Sequence, residues 1–114
     1  MAIKIETVDA LKKYFTGVVR RADHHAPNVT NIIYSLLGII ILKKDEGTHI
    51  EVRGNRDEKT GNILWVFIKG TRYAFRYEHV SGGFIEIRKN TYKGELVLTI
   101  SNTTTPEQVI NCFD

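Results

Sequence analysis

The second half of the chain constrains the fold most, because it consists of short strand-like segments separated by glycine-containing breaks. Five such segments follow one another: residues 49–54 (HIEVRG), 62–69 (NILWVFIK), 71–79 (TRYAFRYEH), 84–89 (FIEIRK) and 95–101 (ELVLTIS). The breaks are too short for the long crossover connections that parallel pairs need. The sequence therefore predicts an antiparallel meander, in which each strand pairs with the next along the chain.

Two helices are predicted before these strands. Residues 8–22 place apolar side chains at helical spacing, and Pro27 disfavours the helical conformation for the residue before it. Asn28 is suited to cap a second helix. The apolar face of that helix is predicted to comprise Val29, Ile32, Ile33, Leu36 and Leu37. Residues 20–28 (RRADHHAPN) are then predicted to connect the two helices.

The stretch Ile39 to Lys43 has two interpretations. A second helix that continued through it would be apolar all round and therefore fully buried. A helix that stopped at Gly38 would leave a β-branched run, followed by a turn at residues 45–47 with glycine in the left-handed position. The isoleucines favour the second interpretation, a strand.

A short third helix is predicted at the end of the chain. Thr105 has the character of an N-cap, Pro106 suits the first helical position, and Gln108 completes a capping box. With this helix, residues 1–114 form a single α+β domain. We expect an antiparallel meander of five or six strands, with the two N-terminal helices and the short C-terminal helix packed on one face.

A two-residue turn at Lys69-Gly70 fixes which side chains share a face. It pairs Leu64 with Phe75 and Val66 with Tyr73 on the core side of the hairpin. The next strand, residues 84–89, extends the sheet if Glu86 lies near Glu78 and Arg88 near Arg76. Hydrophobic matching requires this face assignment, because Ile85 and Ile87 then point into the core. The other side carries what we call the Trp/Arg face, which comprises Trp65, Phe67, Arg72, Arg76, Glu86 and Arg88.

Two interpretations of the Trp/Arg face remain open. Long arginine stems can cover the aromatic rings while the charges form cross-strand ion pairs, which gives the face no function. Alternatively it is an interaction surface, because Trp, Phe and Arg are enriched at the centres of interfaces. We expect a homo-oligomer through this face, with a dimer favoured. A small anionic ligand or nucleic acid is the other kind of partner that arginines would suit.

Asp23, His24 and His25 form an Asp-His-His bend that raises the question of a metal site. His49, His79 or Cys112 would have to complete the ligand set, and no spacing among these residues is diagnostic of a metal. Imidazoles beside Arg20 and Arg21 also suit the carbonyl end of a helix. A small enzyme or metal protein using the bend is the alternative function, and we expect no cofactor and no resident metal.

Composition excludes several other classes of protein. A single cysteine forbids an internal disulfide, and 16 basic against 13 acidic residues give a mild net charge of +3. The sequence has neither the apolar core of a signal peptide nor an apolar stretch long enough to span a membrane. We therefore expect a cytoplasmic protein without a membrane role. The sequence lacks a GxxxxGK(S/T) phosphate-binding loop, a GxSxG nucleophile elbow and a dinucleotide-binding fingerprint. Their absence favours a protein that is not an enzyme.

Four segments resemble a known group of proteins: RADHHAPNV, LWVFIKGTRYAFRYEH, FIEIR and SNTTTPEQV. Together they are similar to small, uncharacterised bacterial proteins of the integron gene cassette type. The resemblance spans most of the chain. It implies a bacterial accessory protein, often oligomeric, without an established reaction, and it assigns no role to the Asp-His-His bend.

Overall fold

In the part of the chain that the structure describes, six antiparallel strands form one sheet, in the order in which they occur along the chain. The computed structural model describes residues 2–25, 29, 31–54, 60–78 and 83–114. The strands are β1 (Ala2–Ile5), β2 (Ile50–Gly54), β3 (Thr60–Ile68), β4 (Thr71–Glu78), β5 (Phe84–Lys89) and β6 (Leu96–Ile100). The predicted meander is confirmed. Its sixth strand is β1 at the N-terminal end, which the sequence did not predict.

Among the described residues, three helices accompany the sheet: α1 (Val8–His25), α2 (Ile33–Lys43) and α3 (Pro106–Asn111). The α+β class and the number of helices are confirmed. The first helix extends beyond residue 22 to His25, so most of the predicted connection is helical. Ala26–Asn28 lie outside the described residues. At α3 the predicted capping box is present, since Thr105 and Gln108 each accept a hydrogen bond from the other's backbone N–H.

The preferred strand at Ile39 to Lys43 was wrong, because these residues complete α2. Ile39 and Ile40 are both buried, with exposed fractions of 8% and 2%, whereas Ile41 and Leu42 are exposed. A strand sends consecutive side chains to opposite faces, but a helix allows two neighbours to share one. Burial against the sheet therefore outweighs the local strand preference of isoleucine. The outer side of α2 remains exposed, so the helix is not fully buried.

The hydrophobic core lies between the helices and one face of the sheet. Buried members from the sheet alternate along each strand, as the predicted faces require. They comprise Ile50, Val52, Leu64, Val66, Ile68, Tyr73, Phe75, Ile85, Ile87 and Ile100. Opposite them lie Tyr14 of α1, five residues of α2, Val109 of α3 and Phe113. Within the described part of the chain, no helix is both long and apolar enough to cross a membrane.

The β3–β4 turn and the loop after α2 hold one another in place. Lys69 and Gly70 form the predicted two-residue turn, with positive φ values of 51° and 79° that match the right-handed twist of a hairpin. The Asp45 carboxylate accepts hydrogen bonds from the backbone N–H groups of both turn residues, each at 2.8 Å. Its own N–H donates to the Phe67 carbonyl at 2.8 Å. One acidic residue thus ties the end of α2 to the central hairpin.

The start of α2 is capped by a residue distant in sequence. Ile32 occupies the N-cap position and offers no capping side chain. The Asn102 side-chain oxygen instead accepts from the N–H groups of Asn31 and Ile32, at 3.0 and 3.3 Å. The predicted cap, Asn28, lies outside the described residues. Asn102 therefore connects the segment after β6 to the start of α2.

We expect Asn102→Ala to lower the free energy of unfolding by about 1 kcal/mol, the usual cost of losing an N-cap acceptor. Asn102→Asp is the control, since it keeps the oxygen and adds a negative charge where the helix dipole favours one. Urea denaturation followed by circular dichroism measures both. An equal loss in the two variants would show that the acceptor oxygen does not provide the stabilisation.

Candidate interaction face of the sheet

All six residues of the Trp/Arg face lie on the side of the sheet opposite the helices. In the β3–β4 pair, Phe67 is opposite Arg72. In the β4–β5 pair, Arg76 is opposite Glu86. Trp65 and Arg88 both neighbour Ala74, one from each side. All six side chains are partly exposed, and none belongs to the core cluster.

The β4–β5 register differs from the predicted one by two residues. Glu86 pairs with Arg76 rather than near Glu78, and Arg88 pairs with Ala74 rather than near Arg76. A shift of two keeps every side chain on its predicted face. It also places opposite charges directly across from one another, which is more favourable than two carboxylates in that position. Hydrophobic alternation fixes the face but leaves such a shift undecided.

A cation–π contact lies at the centre of the Trp/Arg face. The Arg72 guanidinium carbon is 5.0 Å from the centre of the Trp65 ring. One guanidinium nitrogen also donates to the Asn90 carbonyl at 2.8 Å, and the Asn90 N–H donates back to the Arg72 carbonyl at 2.7 Å. The β5–β6 loop therefore holds Arg72 over the indole, where the two planar groups present a combined aromatic and cationic surface.

Tyr92 is a further member of this region that sequence reasoning missed. Its ring lies 5.4 Å from the guanidinium carbon of Arg76, 5.9 Å from that of Arg53 and 5.6 Å from the Lys93 ammonium. Because Arg53 belongs to β2, the β5–β6 loop reaches across several strands of the open face. The sequence shows only a glycine-containing break there, and nothing in it indicates that the loop folds back over the sheet.

Two arginines of this surface form ion pairs with neighbouring carboxylates. Arg88 contacts the Glu86 carboxylate at 2.8 Å and donates to the Gly94 carbonyl at 2.9 Å. Arg76 forms an ion pair with Glu78. Arg53 and Arg72, in contrast, form no ion pair with any carboxylate among the described residues. The surface thus combines paired arginines with two that have no carboxylate partner in the described part of the chain.

Two apolar side chains on this side are fully buried. Ile63 is 1% exposed and Ala74 is 0% exposed, although neither belongs to the core on the helix side. Arg76 lies directly opposite Ile63 in the register, and its head group contacts the Tyr92 ring. Arg76 and the Tyr92 ring thus lie beside the buried Ile63. The first of the two interpretations, in which arginine stems cover Trp65 and Phe67, stays a prediction. The expected contact of the partly exposed Trp65 and Phe67 with a second copy of the chain also stays a prediction.

The Asp-His-His bend lies in the last turn of α1. Asp23, His24 and His25 are helical, so consecutive positions among them are about 100° apart around the axis. Their side chains lie outside what the structure describes. Among the side chains that are described, no group of three or more His, Cys, Asp or Glu residues is placed to hold a metal ion. Metal binding by the bend stays untested.

Cys112 is a protected thiol near the end of the chain. Its Sγ donates to the Val109 carbonyl at 2.9 Å. Burial, together with the negative charge of Asp114, raises the pKa of Cys112 from 9.0 to about 11. Because the folded state favours the protonated thiol, this contribution to the free energy of unfolding is complete below pH 9 and is lost as the pH rises to about 11.

At pH 8 we expect native Cys112 to react with a disulfide reagent about 10-fold more slowly than the unfolded chain. The rise in pKa lowers the thiolate fraction about 100-fold, and the stronger nucleophilicity of the more basic thiolate regains part of that loss. Absorbance of the released thiol measures both rates, with urea-unfolded protein as the reference. Equal rates in the native and unfolded states would contradict the burial of this thiol.

Comparison with known proteins agrees with the resemblance drawn from the sequence motifs. A family model described as "Integron cassette protein VCH_CASS1 chain" matches residues 11–110. This range begins within α1 and ends within α3, so it includes five of the six strands. A search of curated proteins gave no match. The chain therefore belongs to this family of integron cassette proteins.

Proposed function

We propose that the protein is a binding module that self-associates through its Trp/Arg face. The observation that carries this proposal is the partly exposed pair Trp65 and Phe67 at the centre of a sheet face that no described helix covers. Tryptophan, phenylalanine and arginine are the residue types enriched in interface centres, where they dominate the binding energy. Most homo-oligomers begin as two-fold dimers, in which the same patch is used by both copies.

The charges of this face are compatible with a copy of itself. Both signs are present, since Glu78 and Glu86 lie among the arginines, and Glu51 of β2 is opposite Trp65. A two-fold axis can therefore place Arg53 or Arg72 of one copy against a carboxylate of the other. Such contacts would neutralise the two arginines that have no described ion pair.

The aromatic anchor acts twice in a two-fold contact. Trp65→Ala would remove it from both sides at once, and each anchor is expected to cost about 2 kcal/mol or more if it is a hot spot. The core uses the other face of the same strands, through Leu64, Val66, Tyr73 and Phe75. Removing the indole should therefore weaken association and leave the fold intact.

Light scattering on the wild type and on Trp65→Ala tests the proposal, with Trp65→Phe as the control that keeps an aromatic ring. We expect Trp65→Ala to halve the particle mass and Trp65→Phe to retain it. Phe67→Glu provides a second variant, checked for its fold by circular dichroism. An unchanged mass in both Trp65→Ala and Phe67→Glu would reject the sheet-face contact. Unfolding of both would show that these rings stabilise the domain instead.

The two arginines without a described ion pair favour a second candidate, binding of single-stranded nucleic acid. Guanidinium groups of Arg53 and Arg72 lie beside aromatic rings, and such cation and ring combinations accommodate phosphates and bases together. Binding of a labelled oligonucleotide should then weaken steeply with salt and weaken further in Arg72→Ala. Lys13→Ala, on the helix side, is the matched control. No binding at low salt would eliminate this candidate.

A further inference from the structure

We propose that the core between the α1–α2 pair and the sheet contains a binding site for a small, uncharged, apolar molecule. The site is an internal cavity of about 70 Å³. It lies on the helix side of the sheet and shares no described residue with the Trp/Arg face. The inference therefore does not rest on the proposed function, and either can fail without the other.

Both N-terminal helices and the sheet contribute to the wall of this cavity. Tyr14 and Val18 come from α1, and four residues of α2 include Leu36. The sheet contributes side chains of β3, β4 and β5, among them Leu64 and Phe75. Nine of the eleven described lining residues are buried. The cavity therefore lies inside the core and is not a surface groove.

The chemistry of the wall selects the class of ligand. None of the described lining residues is charged, and their only polar side-chain atoms are the hydroxyls of Tyr14 and Tyr77. A charged ligand would lose its hydration there without gaining a counter-ion, which is costly. Water is also disfavoured, because a buried water needs about two to four polar partners. The wall therefore suits a hydrocarbon, or another uncharged molecule with at most one hydroxyl group.

The volume of the cavity limits the size of the ligand. An apolar cavity of roughly 150 Å³, lined by leucine, isoleucine and phenylalanine, binds benzene or xenon. The cavity between the helices and the sheet has a similar lining and about half of that volume. Xenon, a single atom, is the smaller of these two ligands. Benzene requires one wall of the cavity to move outward.

The wall that can move is α1. Among its described side chains only Tyr14 is buried, whereas Phe15, Val18 and Val19 are partly exposed. In α2, by contrast, five residues are buried. Because few side chains of α1 are held in the core, a small outward shift of this helix breaks few contacts. Val18 and Tyr77 are the two described lining residues that are not buried, so they mark the side where the cavity approaches the surface.

The cavity is unusual for a core, because protein interiors are packed as densely as organic crystals. Contacts that are missing around a cavity lower the stability of the fold in proportion to its volume. The lining residue at position 18 is a valine, although leucine is the better helix former and has a longer side chain. An apolar ligand supplies the contacts that valine leaves unmade, and this gain favours binding.

Thermal unfolding followed by circular dichroism tests this inference, with benzene as the probe and benzoate as its charged counterpart. Benzene near saturation in water should raise the melting temperature of the wild type by about 3 °C, the shift expected when a ligand is present at about three times its dissociation constant. Benzoate should not raise the melting temperature, because the cavity offers no counter-ion.

Val18→Phe fills the cavity, and Val8→Phe is the matched control. Both positions lie on α1, but Val8 is 80% exposed and does not line the cavity. We expect Val18→Phe to abolish the rise in melting temperature and Val8→Phe to retain it. If phenylalanine overpacks the core, Val18→Leu is the smaller change, and it should reduce the rise.

Xenon provides a measurement that does not depend on unfolding. Its NMR resonance should shift in the presence of the wild type or Val8→Phe, and shift less with Val18→Leu. A xenon effect without a benzene effect would restrict the site to ligands smaller than benzene. The absence of a xenon effect in the wild type would overturn the cavity site. A benzene effect that Val8→Phe abolishes and Val18→Phe retains would also overturn it, because Val8 lines a groove on the outer side of the helices.

Discussion

Ile40→Ala should lower the free energy of unfolding by about 3 kcal/mol, whereas Ile41→Ala should change it by less than about 0.5 kcal/mol. The two residues are neighbours with the same side chain, but Ile40 is 2% exposed in the core and Ile41 is 45% exposed on the outer side of α2. Truncating Ile40 removes buried methyl groups and leaves a cavity that packed neighbours cannot fill completely. Truncating Ile41 removes surface that water already reaches.

Urea denaturation measures both changes. Ile39→Ala should resemble Ile40→Ala, because a helix buries both. A strand at the same residues would give a different pattern, in which Ile39 and Ile41 are costly together and Ile40 is not. Such alternation would contradict the helical assignment of this stretch.

Gly94→Ala should lower the free energy of unfolding by about 2 to 3 kcal/mol. A β-carbon at this position would overlap the Lys89 carbonyl oxygen and lie 3.2 Å from that of Thr91. Both are backbone atoms, so the loop itself must move. Because the Gly94 carbonyl accepts a hydrogen bond from Arg88, the movement would also disturb the Trp/Arg face.

Gly38→Ala is the control for this change, since the same methyl group meets no atom within 4 Å there. Alanine is the better helix former, so Gly38→Ala should raise the free energy of unfolding by about 0.5 to 1 kcal/mol. Urea denaturation of both variants gives the comparison. Wild-type stability in Gly94→Ala would mean that the loop after β5 is not packed against Lys89.

Local patterns in the sequence were sufficient to predict most strands of the sheet. Alternation of apolar and polar residues, together with glycine-containing breaks, predicted β2 to β6, and the Lys69-Gly70 turn fixed the β3–β4 register. The same local reasoning failed at Ile39 to Lys43. A short run of isoleucines has no period that separates a strand from a buried helix, and burial against the sheet decides between them. β1 was missed because its four residues pair with a strand far along the chain.

Long-range contacts also explain what the sequence could not predict about the candidate site. Residue alternation correctly placed the Trp/Arg face on one side of the sheet. The β4–β5 register was wrong by two residues, because alternation of apolar and polar residues fixes only which face a side chain takes. The observed register pairs Ile87 with Phe75 and Ile85 with Tyr77, and it places Glu86 opposite Arg76. Tyr92 reaches the face through a loop whose path no local signal specifies. The exposed outer side of α2, with Ile41 and Leu42, was not predicted because the sequence favoured a strand in the same residues.

The topology of the sheet has a kinetic consequence. Each pair from β2 to β6 joins consecutive strands, so these contacts close short loops and can form early. β1 is different, because Ala2 pairs with Arg53 across the whole helix pair, a separation of roughly 50 residues. Although β1 is synthesised before β2, it cannot pair with β2 until β2 has been made and the two helices have brought the strands together. Between the synthesis of β2 and this pairing, the edge of β2 exposes unpaired backbone groups. The nascent chain is then most open to strand exchange with a neighbouring chain.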